Sequence, residues 1–556
     1  MTTDFDGRQG PPYLIGVDVG TGSARAGVFD TAGALVTMAK CDIDLFREEG
    51  AIVEQSANQI WEAVCRAVRE AVAASGVRAD RIAGIGFDAT CSLVVVGPGG
   101  RHLPVGPSED PERNVIVWMD HRAVAQAERI NAGGHDVLRY VGGRISPEME
   151  TPKLLWLKEN RPETFDAAEH FFDLTDYLTW RATGDLARSI CTVTCKWTYL
   201  AHEARWDGAY FRAIGLGVLA DEQFLRIGRK IVEPGTAVGT GLSTESAVAL
   251  GLRAGTPVAA GLIDAHAGGI GTVGGVPGQG AEDCMAYVFG TSSCTMTTTR
   301  DPVFVPGVWG PYYAAMVPGA WLNEGGQSVA GAAIDHLVRF HPASSEAAAR
   351  ATAQGCSLPD WLARQAEAAG AAAEGVARLA EGLHVVPDFL GNRAPHADPH
   401  TRAIIAGLGM DTGVDSLVRL YVAGILGLGY GLRQIVEAQR NSGAKVKTIV
   451  ISGGAGRAPV VRQLLADATG LPVSVPRTQE PVLLGSAMLG GVAGGVFPRI
   501  VDAMAAMSGQ VGRHEPFAGK DVGWHDARYA IFSKLQHVVL EGARAAAVDA
   551  PSPAYR

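Results

Sequence analysis

The strongest constraint on this chain is a hairpin that occurs twice. Residues 13–30, YLIGVDVG-TGS-ARAGVFD, read as two alternating apolar strands joined by a turn at Gly20, Thr21, Gly22 and Ser23. Residues 286–299, AYVFG-TSS-CTMTTT, repeat the plan around Gly290, Thr291, Ser292 and Ser293. Gly20 and Gly290 are 270 positions apart in 556, so the pattern predicts two halves that each open on the same hairpin. One hydrophobic core cannot grow to this length, which agrees with two large domains.

Between the hairpins strands alternate with helices. Residues 82–87 read as a strand, preceded by a helix over 58–74 in which Ile60, Val64 and Val68 share a face. Residues 257–263 (PVAAGLI) read as a buried strand, and 447–452 (KTIVIS) as a strand entering Gly453-Gly454-Ala455-Gly456, with Pro459 placed for a first helical turn. Both halves are therefore expected to be α/β. The Gly and Pro cluster at 274–280 is the expected linker. The Ala-rich stretch 363–381 is expected as a surface or inserted helix, and 481–497 as a buried helix, shorter than the ~20 residues a membrane span needs.

Glycine supplies 71 residues, roughly twice the usual ~7%, and Gly-rich turns free backbone N–H groups to face an anion. The turns at Gly20 and Gly290 and the run at Gly453 are thus candidate phosphate sites. Asp18 stands at the end of an otherwise apolar strand before the first turn, where a carboxylate turned outward beside phosphates suits a hydrated Mg²⁺. The second hairpin has Val288 at that place, which suits one metal serving two phosphate-binding hairpins. The alternative at each turn alone is an ordinary hairpin.

Polar residues at element ends form a second set: Asp88, Lys196, Asp264, Glu324 and Gln327. Asp264 follows a buried strand and precedes small residues, so a substrate could approach its carboxylate and surrender a hydroxyl proton to it. Hydrogen-bonding groups of this kind, with Trp118 or Trp197 as a ring face, are what a polyol requires. Each could equally be a structural polar group.

Other classes fit poorly. A net charge of −10 offers no field for nucleic acid or an anionic membrane. A Walker A loop is absent, and the single G-x-G-x-x-G at Gly269, Gly271 and Gly274 opens no helix and has no acid ~20 positions on. The eight cysteines are dispersed. Cys191 and Cys195 come nearest to metal spacing, but no second Cys or His pair completes a zinc set, so free thiols in a reducing cytosol are expected. The segment MTTDFDGRQGPP does not read as a secretory leader.

Taken in order, Gly16-Val-Asp18-Val-Gly20-Thr21-Gly22-Ser23, Trp118-Met-Asp120-His121-Arg122, Gly261-Leu-Ile-Asp264, Gly290-Thr291-Ser292-Ser293, Pro387-Asp388-Phe-Leu-Gly391-Asn-Arg393-Ala-Pro395 and Ser452-Gly453-Gly454-Ala455 resemble the FGGY carbohydrate kinase family over about residues 13–507. The resemblance implies two ribonuclease-H-like α/β domains of the actin and sugar-kinase ATPase superfamily, with the active-site cleft between them. Their expected extents are 13–275 for sugar and phosphate, 281–510 for nucleotide, and 511–556 as an extension. It further implies ATP and Mg²⁺ as cofactors and Asp264 as general base, with Asp18 and Asp264 at the metal. Gly20, Thr21, Gly22, Ser23, Gly290, Thr291 and Ser292 would lie at the phosphates, and Gly453, Gly454 and Ala455 at the adenosine.

Within the family, Thr194-Cys195-Lys196-Trp197 looks like the ribulokinase branch, with Lys196, Asp264 and Glu324 at the ketopentose, Asp88 a further sugar contact and Ala89 nearby. The run Asp88-Ala89-Thr90-Cys91-Ser92-Leu93-Val94 is similar to the branch acting on D-ribulose, so the implied reaction makes D-ribulose 5-phosphate. L-Ribulose, D-xylulose and ribitol remain alternative substrates, and a non-enzymatic actin-like or chaperone-like ATP switch is the alternative of another class. The expected partners are a small sugar and ATP, without nucleic acid or membrane, in the cytoplasm. Homodimer formation is left open.

Overall fold

A computed structural model of the chain describes residues 10–49, 51–372 and 375–549. Residues 1–9, most of the segment read for a leader, lie outside the described residues, as do 373 and 374 of the Ala-rich stretch and 550–556 of the expected extension.

Strands β1 (Tyr13–Val19), β2 (Ser23–Asp30) and β3 (Leu35–Asp42) make an antiparallel meander, and β4 (Ile82–Ala89) and β5 (Leu262–Ile263) join it in parallel, in the order β5-β4-β1-β2-β3. Both faces are covered, which is why β1 and β4 read as near-continuous apolar runs. One face packs on α1 (Ala57–Ser75), whose Ile60, Trp61, Val64 and Val68 meet Ile15, Val17 and Val28. The helix starts where the Ser56 side chain accepts the Gln59 N–H and stops at Gly76, which adopts φ 66°. Helices α2 (Ile190–Trp197) and α3 (Asp264–Val273) follow, the second leaving directly from the end of β5.

The second sheet contains β6 (Cys284–Phe289), β7 (Ser293–Thr299), β8 (Trp309–Tyr313), β9 (Trp321–Gln327), β10 (Thr448–Ser452), β11 (Val473–Pro476) and β12 (Gln510–His514), in the order β8-β9-β7-β6-β10-β11-β12. Its centre repeats the first sheet: β6 and β7 form the hairpin and β10 pairs with β6 in parallel. Asp18 stands opposite Asp88 in the first sheet and Val288 opposite Ser452 in the second. Helices α4 (Gly331–Arg339), α5 (Pro459–Thr469) and α6 (Pro481–Ala493) complete the set that positions the site. Pro459 opens α5, as its place in the sequence predicts.

Helix α6 belongs to the second half of the sequence, yet Leu483, Leu484, Ala487 and Met488 share one core with Leu14 and Phe29 of the first sheet. A Cβ added to Gly16 would lie 2.0 Å from the Leu483 carbonyl oxygen, and one on Gly86 would lie 2.0 Å from that of Ser486. Helix backbone therefore rests directly on strand backbone. Gly271 of α3 approaches the Pro481 carbonyl equally closely. The G-x-G-x-x-G run is thus a packing seam along a helix.

Two expectations need correction. Residues 257–263 form a regular strand only at Leu262–Ile263, although Val258 and Ala259 are fully buried. Val258 bridges to Ile85 and Ala259 to Ala237, so the ladder changes partner every residue or two and cannot extend. In the Ala-rich stretch the helix is Leu358–Ala372, earlier than expected, and it buries Trp361, Leu362, Ala363 and Ala366 in the core of the second half. Of the two expectations, a surface helix or a helical insertion, the first does not hold, because the apolar face at Trp361 and Leu362 docks the helix.

Candidate active site

Three carboxylates gather where the parallel strands of the first sheet end. Asp18 and Asp88 are register partners on β1 and β4, Ile263 of β5 pairs with Ala89, and Asp264 is the next residue, the first of α3. Asp18 does not turn out into solvent as expected: it is 2% exposed and forms an ion pair with Arg25, its register partner on β2. Arg25 also donates to Glu480, just before α6, at 2.7 Å. Asp88 is fully buried; its Oδ2 accepts the Ser486 hydroxyl of α6 and its Oδ1 has no partner.

Burial and the nearby Asp18 charge hold the Asp88 carboxyl well above the usual carboxylate range. The same two causes raise Asp264 to about 7, with the Ala265 N–H, donated at 2.7 Å, and the charges of His266 and Lys196 acting the other way. Asp264 is only half-buried, so a hydroxyl can reach it. A carboxylate titrating near neutrality and open to substrate is suited to take a proton.

A second cluster joins the two halves. Lys196, on the last turn of α2, is 5% exposed, with Nζ 5.0 Å from the centre of the Trp309 ring on β8. Glu324 of β9, register partner of Trp309, is 6% exposed; its Oε1 accepts Arg393 at 3.1 Å and its Oε2 lies 3.4 Å from His266 Nε2 on α3. Burial opposes ionisation of Glu324, but the His266 hydrogen bond and the Lys196 and Arg393 charges hold it down at about 2. The other face of the imidazole meets Cys191 of α2, with Sγ 3.1 Å from Nδ1. Cys191, Cys195 and His266 bring their ligand atoms within 4.8 Å of one another, a grouping that sequence spacing did not reveal because the histidine lies on another helix. All eight cysteines are free thiols.

The second hairpin borders a cleft of about 570 Å³ lined by Gly290, Thr291, Ile334, Tyr421, Gly454 and Ala455 among others. Its rim is fixed by the start of α4, where the Ala330 and Gly331 N–H groups bond the Thr291 and Gly290 carbonyls at 2.8 and 2.9 Å. Of the residues expected at the nucleotide, Gly290, Thr291, Gly454 and Ala455 line this cleft; Gly20, Thr21, Gly22, Ser23, Ser292 and Gly453 do not. Gly453 instead packs against the Phe289 backbone at φ 96°. Thr21 is engaged internally: its hydroxyl accepts Trp118 Nε1 at 3.0 Å and its carbonyl accepts Gln55 at 2.7 Å. Trp118 is thereby committed to the turn, Trp197 is buried in the core, and Gln327 holds Tyr287 and Ser293.

Residues 13–271 match the N-terminal domain, and 285–494 the C-terminal domain, of the FGGY family of carbohydrate kinases. The chain belongs to this family. The kinase is 45% identical to a human FGGY carbohydrate kinase domain-containing protein over 95% of this chain and 97% of that one. It is 39% identical to a D-ribulokinase of Saccharomyces cerevisiae over 86% of this chain and 72% of that one. A solved xylulose kinase from Rhodospirillum rubrum shares the fold at TM-score 0.79 and 20% identity, covering 96% of this chain and all of that one. The two-domain α/β architecture is that of FGGY sugar kinases. ATP and a small sugar are the family's substrates, and the nucleotide-switch alternative is set aside. No helix among the described residues is long and apolar enough to cross a membrane.

Arg25, Ser486, His266 and Arg393 had no expected role, yet each touches an expected site residue, and Glu480 is linked to Asp18 through Arg25. Only Arg25 left a local signal, since it falls opposite Asp18 once the hairpin register is drawn.

Proposed function

We propose that this kinase transfers the terminal phosphoryl group of ATP to the C5 hydroxyl of D-ribulose. The observation that carries the reading is that Lys196 of the first half lies over Trp309, the register partner of Glu324 in the second, close enough for its charge to act on both Glu324 and Asp264, with the cleft at Gly290 at the turn of the hairpin whose second strand pairs with that of Glu324. Lys196 and Glu324 bind sugar hydroxyls, with Asp88 and Ala89 forming the floor of the site. Asp264 receives the proton of the attacking hydroxyl as the phosphoryl group is transferred. The Gly290–Thr291 turn holds the phosphates and Ala455 borders the adenosine. Preference for D-ribulose draws on the likeness to the yeast D-ribulokinase and on the run from Asp88 to Val94.

The donor set suits Mg²⁺. The carboxylate oxygens are hard ligands, Asp88 leaves one oxygen unpartnered, and the Asp18 charge that adds to burial in raising Asp264 would be offset by a divalent cation. Asp18 and Asp264 would hold the ion, which when bound neutralises charge on the phosphates.

Coupled ADP release over D-ribulose, L-ribulose, D-xylulose, ribitol and glycerol tests the reading through kcat/KM. D-Ribulose is expected to exceed each of the others at least tenfold. A higher value for L-ribulose or D-xylulose overturns the choice of sugar, and no turnover with any of them overturns the pentose reading.

A further inference from the structure

Cys191 and His266 take part in none of the steps above, yet they stand behind Glu324 in an unbroken line. Cys191 Sγ lies 3.1 Å from Nδ1 of the imidazole, Nε2 lies 3.4 Å from Glu324 Oε2, and Glu324 Oε1 accepts Arg393 at 3.1 Å. Cys191 also receives the Ile263 backbone N–H at 3.4 Å, one residue before the proposed base. Cys191 and His266 are fully buried. With water excluded, an imidazole hydrogen-bonded at both ring nitrogens has one stable orientation, and its carboxylate partner is held with it. The line also crosses between the halves, because His266 belongs to α3 and Glu324 to β9.

We infer that Cys191 and His266 are positioning residues for the sugar: the thiol fixes the ring, and the ring's Nε2–H fixes the Glu324 carboxylate that the substrate meets when the two halves come together. The inference rests on the reading of Glu324 as a sugar contact. It adds that the contact is set by a residue on the helix that begins with the base, so sugar recognition and base placement share one rigid element.

The test uses the amide isosteres of histidine. Glutamine carries its amide nitrogen near the Nε2 position and keeps a donor for Glu324; asparagine reaches only the Nδ1 position and loses it. His266→Asn is expected to lower kcat/KM for the preferred sugar roughly 10- to 100-fold, the worth of a charge-assisted hydrogen bond, while the KM for ATP stays within about threefold. His266→Gln should recover most of that loss. Cys191→Ala should cost several-fold in sugar KM, and Cys191→Ser, which retains a partner for Nδ1, should cost less. In a Glu324→Gln background His266→Asn should add little, because the two changes remove one interaction.

Equal losses for His266→Asn and His266→Gln, or losses that multiply with that of Glu324→Gln, overturn the inference and leave the sugar-site reading standing. Thermal unfolding keeps the readings apart: a variant that lowers Tm with unchanged sugar kcat/KM counts against positioning. If Glu324→Gln alone leaves sugar kcat/KM unaltered, the sugar-contact reading falls and the inference falls with it.

Discussion

Replacing Asp264 by Asn should yield a kinase that is nearly inactive and more stable. Asn keeps the shape and can still accept the Ala265 N–H that Asp264 accepts at 2.7 Å, so the start of α3 is preserved. It removes the group proposed to take the hydroxyl proton, a role worth 10²- to 10⁴-fold in turnover. The gain in stability follows from the electrostatics. A rise from 3.8 to about 7, caused first by burial and then by the Asp18 charge, corresponds to about 4 kcal/mol disfavouring the ionised form. Partial solvent access reduces that figure, leaving about 1–3 kcal/mol.

Because the folded carboxyl holds its proton more tightly than the unfolded one, its contribution is fully present below about pH 4 and is lost as pH rises through about 7. Asp264→Asn should therefore melt several degrees above the wild type at pH 8 without nucleotide or metal, and the difference should vanish near pH 4. Scanning calorimetry and ADP release on the same preparation give both readouts. A variant within tenfold of wild-type turnover refutes the base assignment. A variant that melts lower at pH 8 refutes the account of why the carboxyl is raised.

Two further outcomes follow from geometry. Gly86→Ala places a Cβ 2.0 Å from the Ser486 carbonyl oxygen; with backbone on both sides it should cost at least about 3 kcal/mol, seen as a lower Tm or loss of soluble protein, and a wild-type Tm would show that α6 does not sit so close. Ala455→Phe projects a ring into the cleft at Gly454 and Thr291 and should raise the KM for ATP at least tenfold with the sugar KM little changed; unaltered ATP kinetics would place the nucleotide elsewhere.

Much of this site can be read from the chain because its signals are local. A Gly-Thr-x-Ser turn between apolar strands announces itself, and an acid at a strand end such as Asp18 or Asp264 breaks an otherwise apolar rhythm. Arg25 can be placed opposite Asp18 from the hairpin register, but partners on distant elements cannot be read this way. Ser486 reaches Asp88 from 398 positions away and Glu480 reaches Arg25 from 455, and periodicity records which face of a helix is apolar but not which sheet it will cover. His266 was visible in the sequence beside Asp264; its value comes from Cys191 on one side and Glu324 on the other, each on a separate element. The same limit explains residues 257–263, where apolar character was legible but the changing ladder was not.

The placement of α6 bears on how the molecule is made. Leu14 and Phe29 find their cover in Leu483 and Met488, some 450 codons downstream. The first sheet thus stays uncovered on that face until α6 has been synthesised. A fragment ending before the second hairpin would emerge with a bare greasy sheet, prone to clump, and supplying the missing segment in trans is the natural way to rescue it.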